Sequence, residues 1–84
     1  MQLFFNRINM VLSDVKLNTI CVIKNINITD EKTKLRLMEL GLSIGAKVLV
    51  KHKSVLKNTL LLFFNSSCFT LKKNLAELIG VEYA

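Results

Sequence analysis

The chain lacks proline and tryptophan, and its 84 residues include only three glycines, two cysteines and one histidine. The missing proline and scarce glycine argue against a disordered or low-complexity chain, and no internal repeat is visible. The longest apolar run, residues 60–64, is far below the roughly 20 residues that a membrane-spanning helix needs. In the N-terminal segment MQLFFNRIN the arginine follows the apolar cluster, unlike in a secretory signal. The sequence predicts neither a membrane helix nor a signal peptide.

The few cysteines and the single histidine limit the chemistry to be expected. Cys21, His52 and Cys68 fall on different predicted strands, without the close spacing that metal ligands usually show. We expect both thiols to be reduced and buried, and His52 to be partly buried, in phase with Val48 and Val50. There is no nucleophile motif, phosphate-binding loop or suitably placed carboxylate pair. The sequence predicts no metal site, no cofactor and no catalysis.

The apolar and basic residues limit the number of domains and the classes of partner to be expected. Hydrophobic residues make up 51% of the chain, which is short enough to hold one core and one domain. Twelve Lys and Arg against six Asp and Glu give a formal net charge of +6. Such a surface suits nucleic acid, acidic lipid or an acidic protein. Nucleic-acid binding usually adds several stacked aromatic side chains, and only Phe63 is a candidate, so an acidic protein or a membrane-proximal location is favoured.

The clearest local pattern lies in residues 35–50, LRLMELGLSIGAKVLV. Its first half has apolar residues at helical spacing, and its second half begins an alternation with lysines that is typical of a half-exposed strand. Gly41 is predicted to end the helix in a left-handed conformation, with Leu42 folding back onto the helix. Leu35 and Met38 are expected to share one face with Leu42.

Short strands and turns account for most of the remaining chain. Residues 1–9 show no period and are interpreted as an N-terminal extension to a domain of residues 10–84. Thr29 or Asp30 is expected to cap the helix. Strands are predicted at residues 19–26, 46–53, 59–64, 68–71 and 81–83, helical turns at 14–17 and 73–79, and a hairpin turn at 65–67. This order predicts a mainly β (α+β) fold, a small partly open barrel with one helix inserted after the first strand and a short helical turn before the last.

The third predicted strand is apolar on both sides. Because alternate side chains point to opposite sides of a sheet, Leu61 and Phe63 are placed on the outer side, beside Leu49 of the preceding strand. Such an exposed apolar patch indicates a protein-binding surface or a homodimer contact. Alternatively, the N-terminal extension folds over the patch with Phe4 and Phe5.

Three segments together resemble a known family. They are LSDV at residues 12–15, RLMELGLSIG at residues 36–45 and FTLKKNLAELIGVE at residues 69–82. In order and spacing they resemble the FeoA family, small cytoplasmic proteins that accompany the FeoB-type ferrous iron permease. The resemblance covers residues 10–82 and implies an SH3-like barrel. Where the family usually has Pro-Leu-Gly-Asp-Pro, this chain has VLKNT at residues 55–59, so we expect a more mobile loop there.

The resemblance implies a non-enzymatic cytoplasmic adaptor. It would bind the soluble, GTPase-bearing portion of the permease and modulate transport or nucleotide turnover. The predicted docking residues are Leu49, Leu61 and Phe63 edged by Lys47 and Lys51, with the connection Leu42, Ser43, Ile44 and Gly45 as a second candidate. Two alternatives stay open: a stand-alone SH3-like interaction module related to the C-terminal domain of iron-dependent repressors, and a small basic RNA-binding barrel.

Overall fold

In the computed structural model, which describes residues 10–84, one antiparallel sheet organises the domain. Its strands are β1 (Cys21–Ile26), β2 (Lys47–Ser54), β3 (Thr59–Phe64), β4 (Ser67–Lys72) and β5 (Ile79–Tyr83), in the spatial order β4-β3-β2-β1-β5. Helix α1 (Glu31–Glu39) is inserted between β1 and β2, helix α2 (Lys73–Ala76) lies between β4 and β5, and a 3-10 helix (Leu12–Asp14) precedes β1. The predicted mainly β fold is therefore confirmed. Within residues 10–84, no helix is long and apolar enough to cross a bilayer.

The core forms on one side of the sheet because the strands alternate between buried and exposed residues. In β3, Leu60 and Leu62 are buried, whereas Leu61 is half-buried and Phe63 is exposed. The buried hydrophobic residues are Leu12, Val15, Cys21, Ile23, Ile28, Leu37, Leu42, Val48, Val50, Leu60, Leu62, Leu71, Ala76, Ile79 and Val81. The 3-10 helix, α1 and α2 each contribute to this set, so they close the inner side of the sheet.

The hairpin between β3 and β4 is tighter than the sequence predicts. Only Asn65 and Ser66 form the loop, and their φ angles of 55° and 65° identify a type I′ turn. Phe64 and Ser67 pair directly across it. The predicted turn of residues 65–67 is wrong by one residue, because Ser67 already belongs to β4.

Helix α1 begins as predicted but buries a different face. The Asp30 carboxylate caps it by accepting a hydrogen bond from the Thr33 N–H at 3.3 Å. Leu37 is the buried residue of the helix, whereas Leu35 and Met38 are 56% and 52% exposed. The expectation that Leu35 and Met38 share one face with Leu42 is wrong, because Leu42 is fully buried and they are exposed. Leu35 lies two positions from Leu37, and residues two positions apart point about 200° apart around a helix. Burial of Leu37 therefore turns Leu35 outward.

The end of α1 confirms the role predicted for Gly41. Its φ is 95°, and its N–H donates to the Met38 carbonyl at 2.9 Å while the Leu42 N–H donates to the Leu37 carbonyl at 2.9 Å. This pair of bonds is the Schellman motif, which satisfies carbonyls left free at a helix end. Leu42 is fully buried, so the chain folds back as expected.

Alanine at Gly41 or Gly45 is expected to destabilise the protein to different extents. Both glycines have positive φ, which costs a side-chain-bearing residue about 1–2 kcal/mol. An added Cβ meets open space at Gly45 but lies 3.0 Å from Cε2 of Phe64 at Gly41. Gly41→Ala should therefore cost about 1 kcal/mol more than Gly45→Ala in the free energy of unfolding, measured with urea. Equal losses would show that the Phe64 ring moves away from the added methyl group without a loss of stability.

The start of the described chain lies against the sheet. Val11 bridges Gly80 of β5, and the Val81 N–H donates to the Met10 carbonyl at 2.9 Å. The turn predicted at residues 14–17 is wrong, because the 3-10 helix lies earlier and buries Leu12. The later turn is also shorter than predicted, since β5 begins at Ile79 in order to pair with β1. The predicted extension, residues 1–9, lies outside the described residues, as does the expected contact of Phe4 and Phe5.

Candidate docking surface

The outer side of β2, β3 and β4 brings three predicted residues together. We call Leu49, Leu61 and Phe63 the outer patch. Leu49 pairs with Phe63 across β2 and β3, and Leu61 follows two positions before Phe63 on the same side of β3. Phe63 is 39% exposed, and the two leucines are half-buried. The patch therefore presents one aromatic ring supported by two aliphatic neighbours.

A β-bulge in β2 places a lysine over this ring. Val50 pairs with Leu62 but His52 pairs with Leu61, so Lys51 is the additional residue of the bulge. Its Nζ lies 5.8 Å from the centroid of the Phe63 ring, within the range of a cation–π contact. Lys47 lines a hollow of about 130 Å³ together with Leu49 and Phe63. Both predicted lysines are thus beside the outer patch.

The same bulge corrects the prediction for His52. One additional residue reverses the alternation of the strand beyond it, so His52 lies on the outer side and is exposed. Lys53 takes the inward position opposite Leu60 instead. Its Nζ donates a hydrogen bond to the Val15 carbonyl at 2.9 Å, which keeps the charge at the rim of the core.

The two cysteines occupy different environments. Cys21 is buried, as predicted, and burial raises the pKa of its thiol. Cys68 is exposed, so the prediction that it is buried is wrong; it pairs with Phe63 on the outer side of the hairpin. Within residues 10–84, no three His, Cys, Asp or Glu side chains come together in a way that could hold a metal ion.

Alkylation should distinguish these thiols. We expect iodoacetamide to modify Cys68 at least about 100-fold faster than Cys21, because Cys21 must wait for an opening of the core and its protonated thiol is a poor nucleophile. Peptide mass spectrometry after timed labelling measures both rates. Adding urea should equalise them. Comparable rates without urea would contradict the burial of Cys21.

The second candidate surface, residues 42–45, is only partly available. Leu42 is fully buried, so its prediction as a docking residue is wrong: it serves the core and the helix end. Ser43, Ile44 and Gly45 are exposed, with Ile44 at 67%. A shallow groove of about 370 Å³ follows this connection, and its lining is Ile26, Lys34, Met38, Ser43 and Ile44.

Two further features were missed from the sequence. The loop between β2 and β3 carries Val55 and Leu56, which are 92% and 99% exposed. A groove of about 460 Å³ also runs between α1 and β4. The apolar loop tip could have been suspected from two apolar residues in a predicted loop. The groove could not, because it depends on how α1 packs beside the edge of the sheet.

Comparison with known proteins identifies close likenesses. The FeoA domain family matches residues 10–83. The chain is 30% identical to the FeoA protein from Chlorobium tepidum, with a TM-score of 0.80 over 88% of this chain and 70% of that one. It is 24% identical to iron(II) transport protein A from Clostridium thermocellum, with a TM-score of 0.78 over 89% of this chain and 46% of that one. No curated protein sequence matches.

A regulatory protein shares the fold at lower identity. A manganese-dependent transcriptional repressor is 15% identical, with a TM-score of 0.80 over 89% of this chain and 41% of that protein. At this identity the likeness shows the fold alone. The shared fold makes up 41% of that repressor's chain.

Proposed function

Because the chain belongs to the FeoA domain family, we propose that it is an adaptor that docks on the cytoplasmic portion of a FeoB-type ferrous iron permease. The family is associated with ferrous iron transport and consists of small non-catalytic accessory domains. The proposal adds a partner, a surface and a location in the cytoplasm. The observation that carries it is the outer patch, an exposed aromatic ring flanked by two lysines on the five-stranded sheet.

The geometry of the outer patch suits a protein partner. Phe63 is central and its neighbours Leu49 and Leu61 already exclude part of the solvent, which is how energetically dominant interface residues are usually arranged. Lys47 and Lys51 lie at the edge, where charges steer encounter and favour an acidic partner surface. Because the strands hold these side chains in place, little ordering is needed on binding.

Binding of the adaptor modulates the permease if the affinity depends on which nucleotide the permease's GTPase module holds. A partner that binds one state better shifts the equilibrium toward that state by the ratio of the two affinities, and by no more. An adaptor without chemistry of its own can therefore change GTP turnover or transport. The proposal requires different dissociation constants for the two states of the GTPase module.

Titration of the purified protein against the cytoplasmic portion of its cognate permease tests this function. We expect binding, with dissociation constants that differ about fivefold or more between GDP and a non-hydrolysable GTP analogue. Equal dissociation constants would contradict the modulatory role but would still support docking. No binding, with the protein self-associating instead, would reassign the outer patch to a contact between copies of this chain.

A further inference from the structure

Within residues 10–84, the groove between α1 and β4 follows an edge of the sheet that pairs with no further strand. Its lining comes from α1 and the two ends of that helix, from Leu75 of α2, and from four consecutive residues of β4: Phe69, Thr70, Leu71 and Lys72. Since consecutive side chains of a strand point to opposite sides, a cavity that touches all four runs along the strand's edge. β4 is the last strand in the spatial order, whereas Val11 already bridges the opposite edge at β5.

The hairpin turn determines which backbone groups of β4 are available. In a hairpin with a two-residue loop, the flanking residues Phe64 and Ser67 form a hydrogen-bonded pair, and such pairs alternate along an antiparallel ladder. Phe69 and Leu71 therefore bond to β3. Thr70 between them directs its N–H and C=O away from β3, toward the groove. An edge with such groups is a template for another strand.

The sides and floor of the groove suit an acidic, partly apolar segment. Lys32 and Arg36 lie one helical turn apart along α1, and Lys72 lies across from them on β4. Among the described residues that line the groove, Asp30 carries the one carboxylate, and this carboxylate already caps α1. The floor is apolar: Leu37 and Leu71 are 4% and 5% exposed, with Phe69, Leu75 and Leu40 beside them.

We propose that this groove binds an extended acidic segment of the partner by addition of a strand to β4. The inference rests on the proposed function, since it takes the segment from the permease's cytoplasmic portion. Main-chain bonds form at Thr70, alternate apolar side chains of the segment enter the floor, and its carboxylates meet Lys32, Arg36 and Lys72. Because Thr70 pairs with Leu61 of the outer patch, a strand added to β4 would lie one strand away from that patch in the same sheet.

Overlapping synthetic peptides of about 12 residues that cover the cytoplasmic portion of the cognate permease are the probe, each long enough for a strand of ordinary length. They are titrated into the 15N-labelled full chain alongside the intact cytoplasmic portion. We expect an acidic peptide to shift the amide of Thr70 and to slow its exchange with solvent. Affinity should fall as salt rises toward about 0.3 M, because the charges are exposed.

Variants identify the backbone contact. Thr70→Pro removes the free N–H without removing a ladder bond, and proline is tolerated at such edge positions. We expect it to weaken peptide binding roughly tenfold, whereas Thr70→Ala, which keeps the N–H, should bind as the wild type does. If Thr70→Pro does not fold, the double variant Lys32→Glu and Arg36→Glu takes its place. Its matched control is Lys16→Glu with Lys57→Glu, two exposed lysines that do not line the groove.

The outcomes separate this inference from the proposed function. Binding of an acidic peptide that Thr70→Pro weakens supports the groove. Binding by the intact cytoplasmic portion but by no peptide, or equal binding by Thr70→Pro, overturns the groove and leaves the adaptor function standing. Binding of peptides at other residues, or of basic peptides only, also overturns the groove. No binding by peptides or by the intact portion overturns both.

Discussion

Replacing Phe63 with aspartate is expected to weaken binding to the permease's cytoplasmic portion about 30-fold while leaving the domain folded. The change removes the one exposed ring of the outer patch and introduces a negative charge where Lys47 and Lys51 favour an acidic partner. The domain should lose about 1 kcal/mol but stay folded, because Phe63 is partly buried beside Leu49 and aspartate is unfavourable in a strand. Calorimetric titration measures the affinity and thermal unfolding measures the stability.

Leu56→Asp is the matched control for this change. Leu56 is 99% exposed on the loop between β2 and β3, outside the outer patch, and the substitution alters hydrophobicity and charge in the same way. We expect its affinity to equal that of the wild type. If both variants lose binding equally, the loss reflects net charge rather than the outer patch. If Phe63→Asp binds normally, the outer patch is not the docking surface.

Leu42→Ala is expected to destabilise the domain by about 3 kcal/mol, within the 2–5 kcal/mol usual for a buried leucine. Leu42 is fully buried and anchors the end of α1 through the Schellman motif. The truncation leaves a cavity between α1 and the sheet. In a domain of this size such a loss is a large part of the total stability, so the variant should unfold at far lower urea concentration.

Ile44→Ala provides the comparison within the same connection. Ile44 lies two residues after Leu42 and is 67% exposed, so its truncation should change the free energy of unfolding by less than about 0.5 kcal/mol. A similar loss for both variants would contradict the assignment of Leu42 to the core and of Ile44 to the surface.

Local chemistry explains what the sequence could predict. Gly41 indicates the end of a helix because few other residues adopt its positive φ. Asp30 indicates the start of a helix because its carboxylate can cap free N–H groups. The outer position of Leu61 and Phe63 follows from the alternation of β3, which has no bulge in its pairing with β4. Each of these patterns involves only a few neighbouring residues, so it can be interpreted without knowledge of the tertiary structure.

Most of the wrong predictions concern which side of the sheet a residue faces. The bulge at Lys51 leaves no mark in the alternating sequence, yet it moves His52 outward and Lys53 inward. The expectation that Cys68 is buried rests on the usual burial of free cysteine, whereas the register of the hairpin decides which side of the sheet it faces. With the two-residue loop, Cys68 pairs with Phe63 and is exposed.

The face of α1 depended on tertiary contacts. Leu35, Leu37 and Met38 are all apolar, and periodicity alone could not decide which of them packs inward. Burial of Leu37 leaves the other two exposed and also creates the groove beside β4. Features of this kind require the relative placement of helix and sheet, which no short segment of the sequence encodes.

NMR mapping of the contact shows whether the permease docks on the outer patch. The 15N-labelled protein is titrated with the unlabelled cytoplasmic portion of its cognate permease. We expect the amide signals of Leu49, Lys51, Leu61 and Phe63 to shift or broaden together, whether or not Thr70 also responds. Changes confined to residues 43–45 and α1, or no changes under conditions where the permease portion is folded and binds nucleotide, would contradict docking through the outer patch.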